Sequence, residues 1–169
     1  MTCHILGLGP SIADYKPDKS HITIGVNDIY RHHETDFLFV ISRLSPPRAV
    51  FVENARPRIL FSQMPQWRNH PRYHPLETRL WNGNRPNPLN ETVFHSNNTP
   101  FVAASWAYRH GFTEIVLWGV DFTNHPFING EQLDICKRDF AQLQTQLLEK
   151  GCSMYLGSPG SVLDLPLWK

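Results

Sequence analysis

Asp121 and His125 lie four residues apart, just beyond the apolar run EIVLW at Glu114 to Trp118. A carboxylate and an imidazole at that spacing are candidates for acid–base catalysis, since histidine titrates near neutrality and can take a proton from a hydroxyl. Gly119, between the run and Asp121, would line the same place. Near the N-terminus the apolar run CHIL leads into Gly7-Leu8-Gly9-Pro10-Ser11. Glycine lets backbone approach a ligand closely, and a helix opening at Ser11 would turn free N–H groups toward an anion. Pro10 removes one donor and Ser11 adds a hydroxyl; the same residues are also good chemistry for a tight strand-to-helix corner. Asn27 and Asp28 follow the run ITIGV, and an amide beside a carboxylate could read a sugar hydroxyl, a base edge or a metal, or cap the next turn. Ser42 follows FLFVI, and Asn97, Asn98 and Thr99 precede Pro100. Thr at an N-cap with Pro next explains Thr99, whereas two asparagines before it exceed what a cap needs.

The elements that must position these residues are short apolar runs. Cys3 to Leu8, Ile22 to Val26, Phe37 to Ile41, Arg58 to Phe61, Glu114 to Trp118 and Ser153 to Leu156 read as strands, several apolar nearly throughout. Helices are expected from Ser11 (as N-cap) to Tyr15, over Phe101 to His110 with Gly111 as stop, and over Gln132 to Lys150 with Gly151 as stop. Alternation of buried strands with helices predicts an α/β fold, a Rossmann-like three-layer sandwich with a mostly parallel sheet. In such sheets ligands bind beyond the carboxyl ends of the strands. All the residues named above fall there.

Between Ser62 and Pro88 the pattern mixes Pro, Asn, Arg, His and Trp without a period. A connection this long is usually functional, and its aromatics argue against disorder. An irregular flap or lid over 62–96 is expected, within one domain spanning 1–169. The tail SVLDLPLW is expected to pack back on the core.

The bulk numbers narrow the classes. The chain has 169 residues, enough for one buried core, and a net charge of +1 with histidines neutral. No Lys/Arg run marks a surface for long nucleic acid, while a single nucleotide stays compatible with the charge. Three cysteines without CxxC spacing fit neither a disulfide framework nor a zinc site, and read as reduced, buried thiols. His70 and His74 share helical spacing, but Pro71 and Pro75 oppose a helix; no HExxH and no GxSxG is present. No metal site is expected. Without an apolar segment long enough to span a bilayer, a cytoplasmic location is expected. A homo-oligomer is compatible with all of this.

ILGLGPS, ITIGVND and NNTPFVAASWAYRHGFTEIVLWGVDF together resemble a Rossmann-like group. It holds the bacterial sialyltransferases of the Campylobacter lipooligosaccharide type and the 6-hydroxymethylpterin diphosphokinase-like proteins. The resemblance covers the first thirty residues and Asn97 to Phe122, and KGCSMYLGSPGSVL resembles the sialyltransferase end. It implies nucleotide binding in the strand-end cleft, with a CMP-sialic acid donor and a histidine general base. On this chain it implies that Gly7, Gly9, Pro10, Ser11, Asn27, Asn98 and Thr99 hold nucleotide and sugar, and that Gly119 and Asp121 line the cleft. It matches the histidine to His125 by region. This chain departs from that pattern at Leu8, where the family has Asn, and at Pro100, where it has Gly.

Three functions follow as expectations. The first is a transferase moving a sugar from a CMP-type donor to an acceptor hydroxyl, without a cofactor. The second is a diphosphokinase-like phosphotransferase using Mg²⁺ on Asp28 and Asp121. The third is a non-catalytic, phage-encoded nucleotide- or sugar-binding module.

Overall fold

The chain folds, in a computed structural model that describes residues 1–83 and 85–169, around one twisted parallel sheet. In chain order its strands are β1 (Thr2–Leu6), β2 (Ile22–Val26), β3 (Phe37–Phe39), β4 (Ile59–Ser62), β5 (Tyr73–Pro75), β8 (Glu114–Trp118) and β9 (Ser153–Leu156). Their order across the sheet is β5-β4-β3-β2-β1-β8-β9. Every neighbouring pair is parallel. A second parallel pair, β6 (Thr78–Leu80) with β7 (Val93–His95), stands apart. Three α-helices, α1 (Pro46–Glu53), α2 (Thr99–Arg109) and α3 (Gly130–Leu148), and three short 3₁₀ helices complete the described elements.

The period of two along each strand sorts side chains into two cores. Cys3, Ile5, Phe39, Ile115 and Leu117 point to one face and pack with Phe101 and Ala104 of α2 and Phe140 and Leu143 of α3. Leu6, Leu38, Leu60, Val116 and Trp118 point to the other, against Ala49 and Val52 of α1. Helix–sheet–helix layering is thus the α/β sandwich expected from strands apolar on both faces.

Several boundaries move, each for a local reason. β1 stops at Leu6, because Gly7 and Leu8 already belong to the turn that follows. Ser11 does not cap a helix: Pro10–Asp14 is a 3₁₀ helix capped at Gly9, with Pro10 in its opening turn. α1 carries two prolines at its start and buries only Ala49 and Val52, so no apolar stripe announces it in the sequence. α2 is capped by Asn98, whose Oδ1 accepts from the Phe101 N–H, and Thr99 is already helical. α3 begins and ends two residues before the expected bounds.

The 62–96 segment is more regular than expected, holding β5, β6, β7 and a 3₁₀ turn at Pro65–Trp67. Trp81, Leu89, Val93 and Phe94 are buried in the α2/α3 core. Trp81 Nε1 donates to Gln142 of α3 at 3.2 Å, and the Asn87 N–H to Gln146 at 3.0 Å. A long stretch of this segment is therefore a fixed cover for α3. Asn84, within the expected flap, lies outside the described residues. The tail packs as expected: Leu163 and Leu165 are buried, and the Trp168 N–H donates to the Leu156 carbonyl at 2.8 Å. Cys3, Cys136 and Cys152 are free and buried, and burial raises all three thiols above their ordinary pKa.

His4, on β1, is sealed by aromatic rings. It stacks on His21 with centroids 4.7 Å apart and meets Trp168 edge-on at 5.0 Å. Both ring nitrogens are buried without a hydrogen-bond partner. Burial, then the neighbouring His21, lowers its pKa from 6.5 to about 4. A depressed folded pKa means the stabilisation is complete above the unfolded value and is lost as pH falls toward the folded one. Urea unfolding measured at about pH 7 and about pH 4.5 should show a drop in stability on acidification that is smaller in His4→Phe. An equal drop in both proteins excludes His4 as its source.

Candidate functional site

The carboxyl ends of β1 and β8 lie side by side at the point where strand order reverses, the usual place for a ligand crevice in an open parallel sheet. Here the turns that leave the two strands pack against each other. The Gly7 N–H donates to the Trp118 carbonyl and the Gly9 N–H to the Gly119 carbonyl, both at 2.7 Å. A Cβ on Gly9 would lie 2.6 Å from Asp121 Oδ2, and Gly119 adopts φ +64 with only 2.6 Å between its would-be Cβ and the Gly7 carbonyl oxygen. Contact between the two turns thus requires the glycines, a constraint independent of any ligand.

Asp121 is 3% exposed and lies beneath this corner. Its Oδ2 accepts from the Ser11 N–H at 2.7 Å and its Oδ1 from the Ser11 hydroxyl. Ser11 Oγ in turn accepts from the Gly119 N–H at 3.0 Å. Both carboxylate oxygens are engaged by Ser11 in the turn after β1. The structure brings Gly7, Gly9, Pro10, Ser11, Gly119 and Asp121 together as expected, in contact with one another.

Beside this corner, Asn27 ends β2 in the left-handed region, at φ 53. Its Oδ1 accepts from the Thr99 hydroxyl at 3.3 Å, so the start of α2 is tied to the end of β2. That link is open to Thr99 because Asn98, not Thr99, caps the helix. Asn97 donates to the Gln132 carbonyl at 2.8 Å, bringing α3 to the same edge. Ser42 lies exposed beyond β3.

Asp28 is fully buried. Its Oδ1 accepts from Arg48 Nε at 3.0 Å and from Arg48 Nη2, while Arg31 Nε stands 3.8 Å from Oδ2. Arg48 lies on α1, a helix with little signal in the sequence, so this partner was not foreseen. Among the described residues, no cluster of three His, Cys, Asp or Glu could hold a metal ion.

His125 lies in the irregular connection from β8 to α3, after two strained residues, Phe122 at φ 55 and Asn124 at φ 51. Positive φ in non-glycine residues is costly and concentrates at functional segments. His125 Nδ1 accepts from the backbone N–H groups of Phe127 at 3.1 Å and Ile128 at 2.9 Å. The neutral ring therefore carries its proton on Nε2 in this pose. Burial, then the Arg48 charge, lowers the pKa of His125 below the ordinary histidine value.

Several solved structures share this fold. The Campylobacter jejuni sialyltransferase CstII, in complex with the substrate analogue CMP-3FNeuAc, is similar with a TM-score of 0.60 at 13% identity, over 98% of this chain and 84% of that one. A structure of CST-II with a trisaccharide acceptor and CMP is similar with a TM-score of 0.59 at 14% identity, over 98% and 86%. Thiamine pyrophosphokinase from Bacillus subtilis is similar with a TM-score of 0.53 at 14% identity, over 92% of this chain but 59% of its own length. No protein-family model matches the sequence, and no curated protein does. At these identities the likeness establishes a shared fold.

If Asp121 braces the two turns, Asp121→Ala leaves the Ser11 N–H and hydroxyl without their acceptor. It should lower unfolding free energy by about 2–4 kcal/mol in urea titrations. Gly9→Ala, which forces Cβ onto the same carboxylate, should also destabilise. Wild-type stability in both variants contradicts the brace.

Proposed function

We propose that the chain is a transferase that moves a sugar from a CMP-type donor to an acceptor hydroxyl. The donor would sit beyond the carboxyl ends of β1, β2 and β8. The observation that carries this reading is the match of nearly the whole chain to a sialyltransferase fold solved with a CMP-sugar analogue. The chain's own chemistry supports it. Asn27, the Asn97–Thr99 stretch and His125 come from three segments that follow or face the strand ends, and Thr99 is tied directly to Asn27. Asn27 and Thr99 would contact nucleotide and sugar, and the Gly7–Ser11 corner would form the floor beneath them. No helix among the described residues is long and apolar enough to cross a membrane.

The reaction breaks the bond between the anomeric carbon and the donor phosphate oxygen, and the phosphate leaves with the electron pair as CMP. The acceptor oxygen forms the new bond, and its proton passes to a base. We assign that base to His125. In the pose described, Nδ1 is occupied by two backbone donors, so the base role requires the Phe127–Ile128 segment to release Nδ1. A lowered pKa keeps the ring unprotonated, and ready to accept, at neutral pH. Asp121 would act by holding the floor, since both its oxygens already accept from Ser11.

The phosphotransferase reading draws on the similarity to thiamine pyrophosphokinase. Its Mg²⁺ would need Asp28 and Asp121, but the first is paired with Arg48 and the second with Ser11. Those pairings favour the sugar transfer. Nucleotide binding that is lost in EDTA and restored by Mg²⁺ would reverse this preference.

Isothermal titration with CMP should show binding, and His125→Ala should abolish sugar transfer while leaving CMP affinity nearly unchanged. A base must be unprotonated to act, so the acid limb of kcat/KM should lie below the ordinary histidine pKa of about 6.5. Full transfer by the variant, or an acid limb above that value, removes His125 from the role.

A further inference from the structure

We propose that Arg48, held by Asp28, is the cation that binds the phosphate of the nucleotide; this rests on the donor site proposed above. Asp28 directly follows Asn27 at the end of β2, and Arg48 reaches it from the first turn of α1. The carboxylate is fully buried, while the Arg48 side chain is 37% exposed. Two guanidinium nitrogens, Nε and Nη2, share a single oxygen of Asp28. Nη1 takes no part in that contact and has no hydrogen bond among the described residues.

Two arginines, Arg31 and Arg48, face this one carboxylate. With Asp28 ionised, the group carries a net positive charge beside the residue expected to hold the nucleotide. A guanidinium fixed along one edge has already lost much of its side-chain freedom, so binding an anion orders little more. Planar N–H donors suit phosphate oxygens. Apart from Asp121, whose buried carboxylate is engaged by Ser11, the remaining strand-end groups named above are amides, hydroxyls and an imidazole, which can orient a phosphate but not balance its charge.

CMP and cytidine differ only in the phosphate, so their affinities separate this inference from the reading beneath it. Isothermal titration of the full chain should show wild type binding CMP at least about tenfold more tightly than cytidine. In Arg48→Gln that preference should collapse while cytidine affinity holds. Asp28→Asn combined with Arg48→Gln, which removes the buried carboxylate as well as its partner, should give the same result in a protein relieved of an unpaired charge. Arg48→Lys should recover part of the preference. If wild type binds CMP and either variant keeps the full preference, the inference is overturned and the donor site stands. If wild type binds neither compound, both fall.

Discussion

The closest constraint in the molecule is the approach of two backbone turns, one leaving β1 and the other leaving β8. Gly7 and Gly9 give their N–H groups to the carbonyls of Trp118 and Gly119, and a buried carboxylate accepts both donors of Ser11. Nothing larger than glycine fits at Gly9 or Gly119 without displacing Asp121 or the Gly7 carbonyl. This joint fixes the carboxyl edge of the sheet at the reversal of strand order. Asn27 lies one strand further along, Thr99 is tied to Asn27, and His125 follows Asp121 by four residues.

A fixed floor would suit the proposed sugar transfer, where catalysis depends on holding the reacting atoms in place. The groups above it divide into two kinds. Asn27, Asn97 and Thr99 form neutral links among β2, α2 and α3. Under the proposed reading, Arg48 would supply positive charge and His125 proton transfer. The departures at Leu8 and Pro100 fit this division: Leu8 packs against the apolar core beneath the turn, and Pro100 removes a backbone donor at the start of α2.

Much of the fold was legible in the sequence, because strands buried on both faces read as continuous apolar runs and Gly111 and Gly151 mark the helix ends. The convergence of Gly7, Ser11, Gly119 and Asp121 was legible too, from their places after β1 and β8. What they do there was not. A glycine needed for a ligand and a glycine needed for a neighbouring turn look the same in one dimension, and so do a catalytic carboxylate and a buried one. α1 was missed because Ala49 and Val52 make too narrow a stripe after two prolines. Its loss also hid Arg48 as the partner of Asp28. The 62–96 segment lacks a period because its short strands alternate with turns, and its anchors, Trp81 and Leu89, are buried against helices far along the chain.

The most direct measurement of the central claim is a crystal structure of the chain with CMP bound. The nucleotide should lie across the carboxyl ends of β1 and β2, in contact with Asn27 or Thr99 and above the Gly7–Ser11 corner. CMP bound at the opposite end of the sheet, or a strand-end surface left bare under saturating nucleotide, would contradict it.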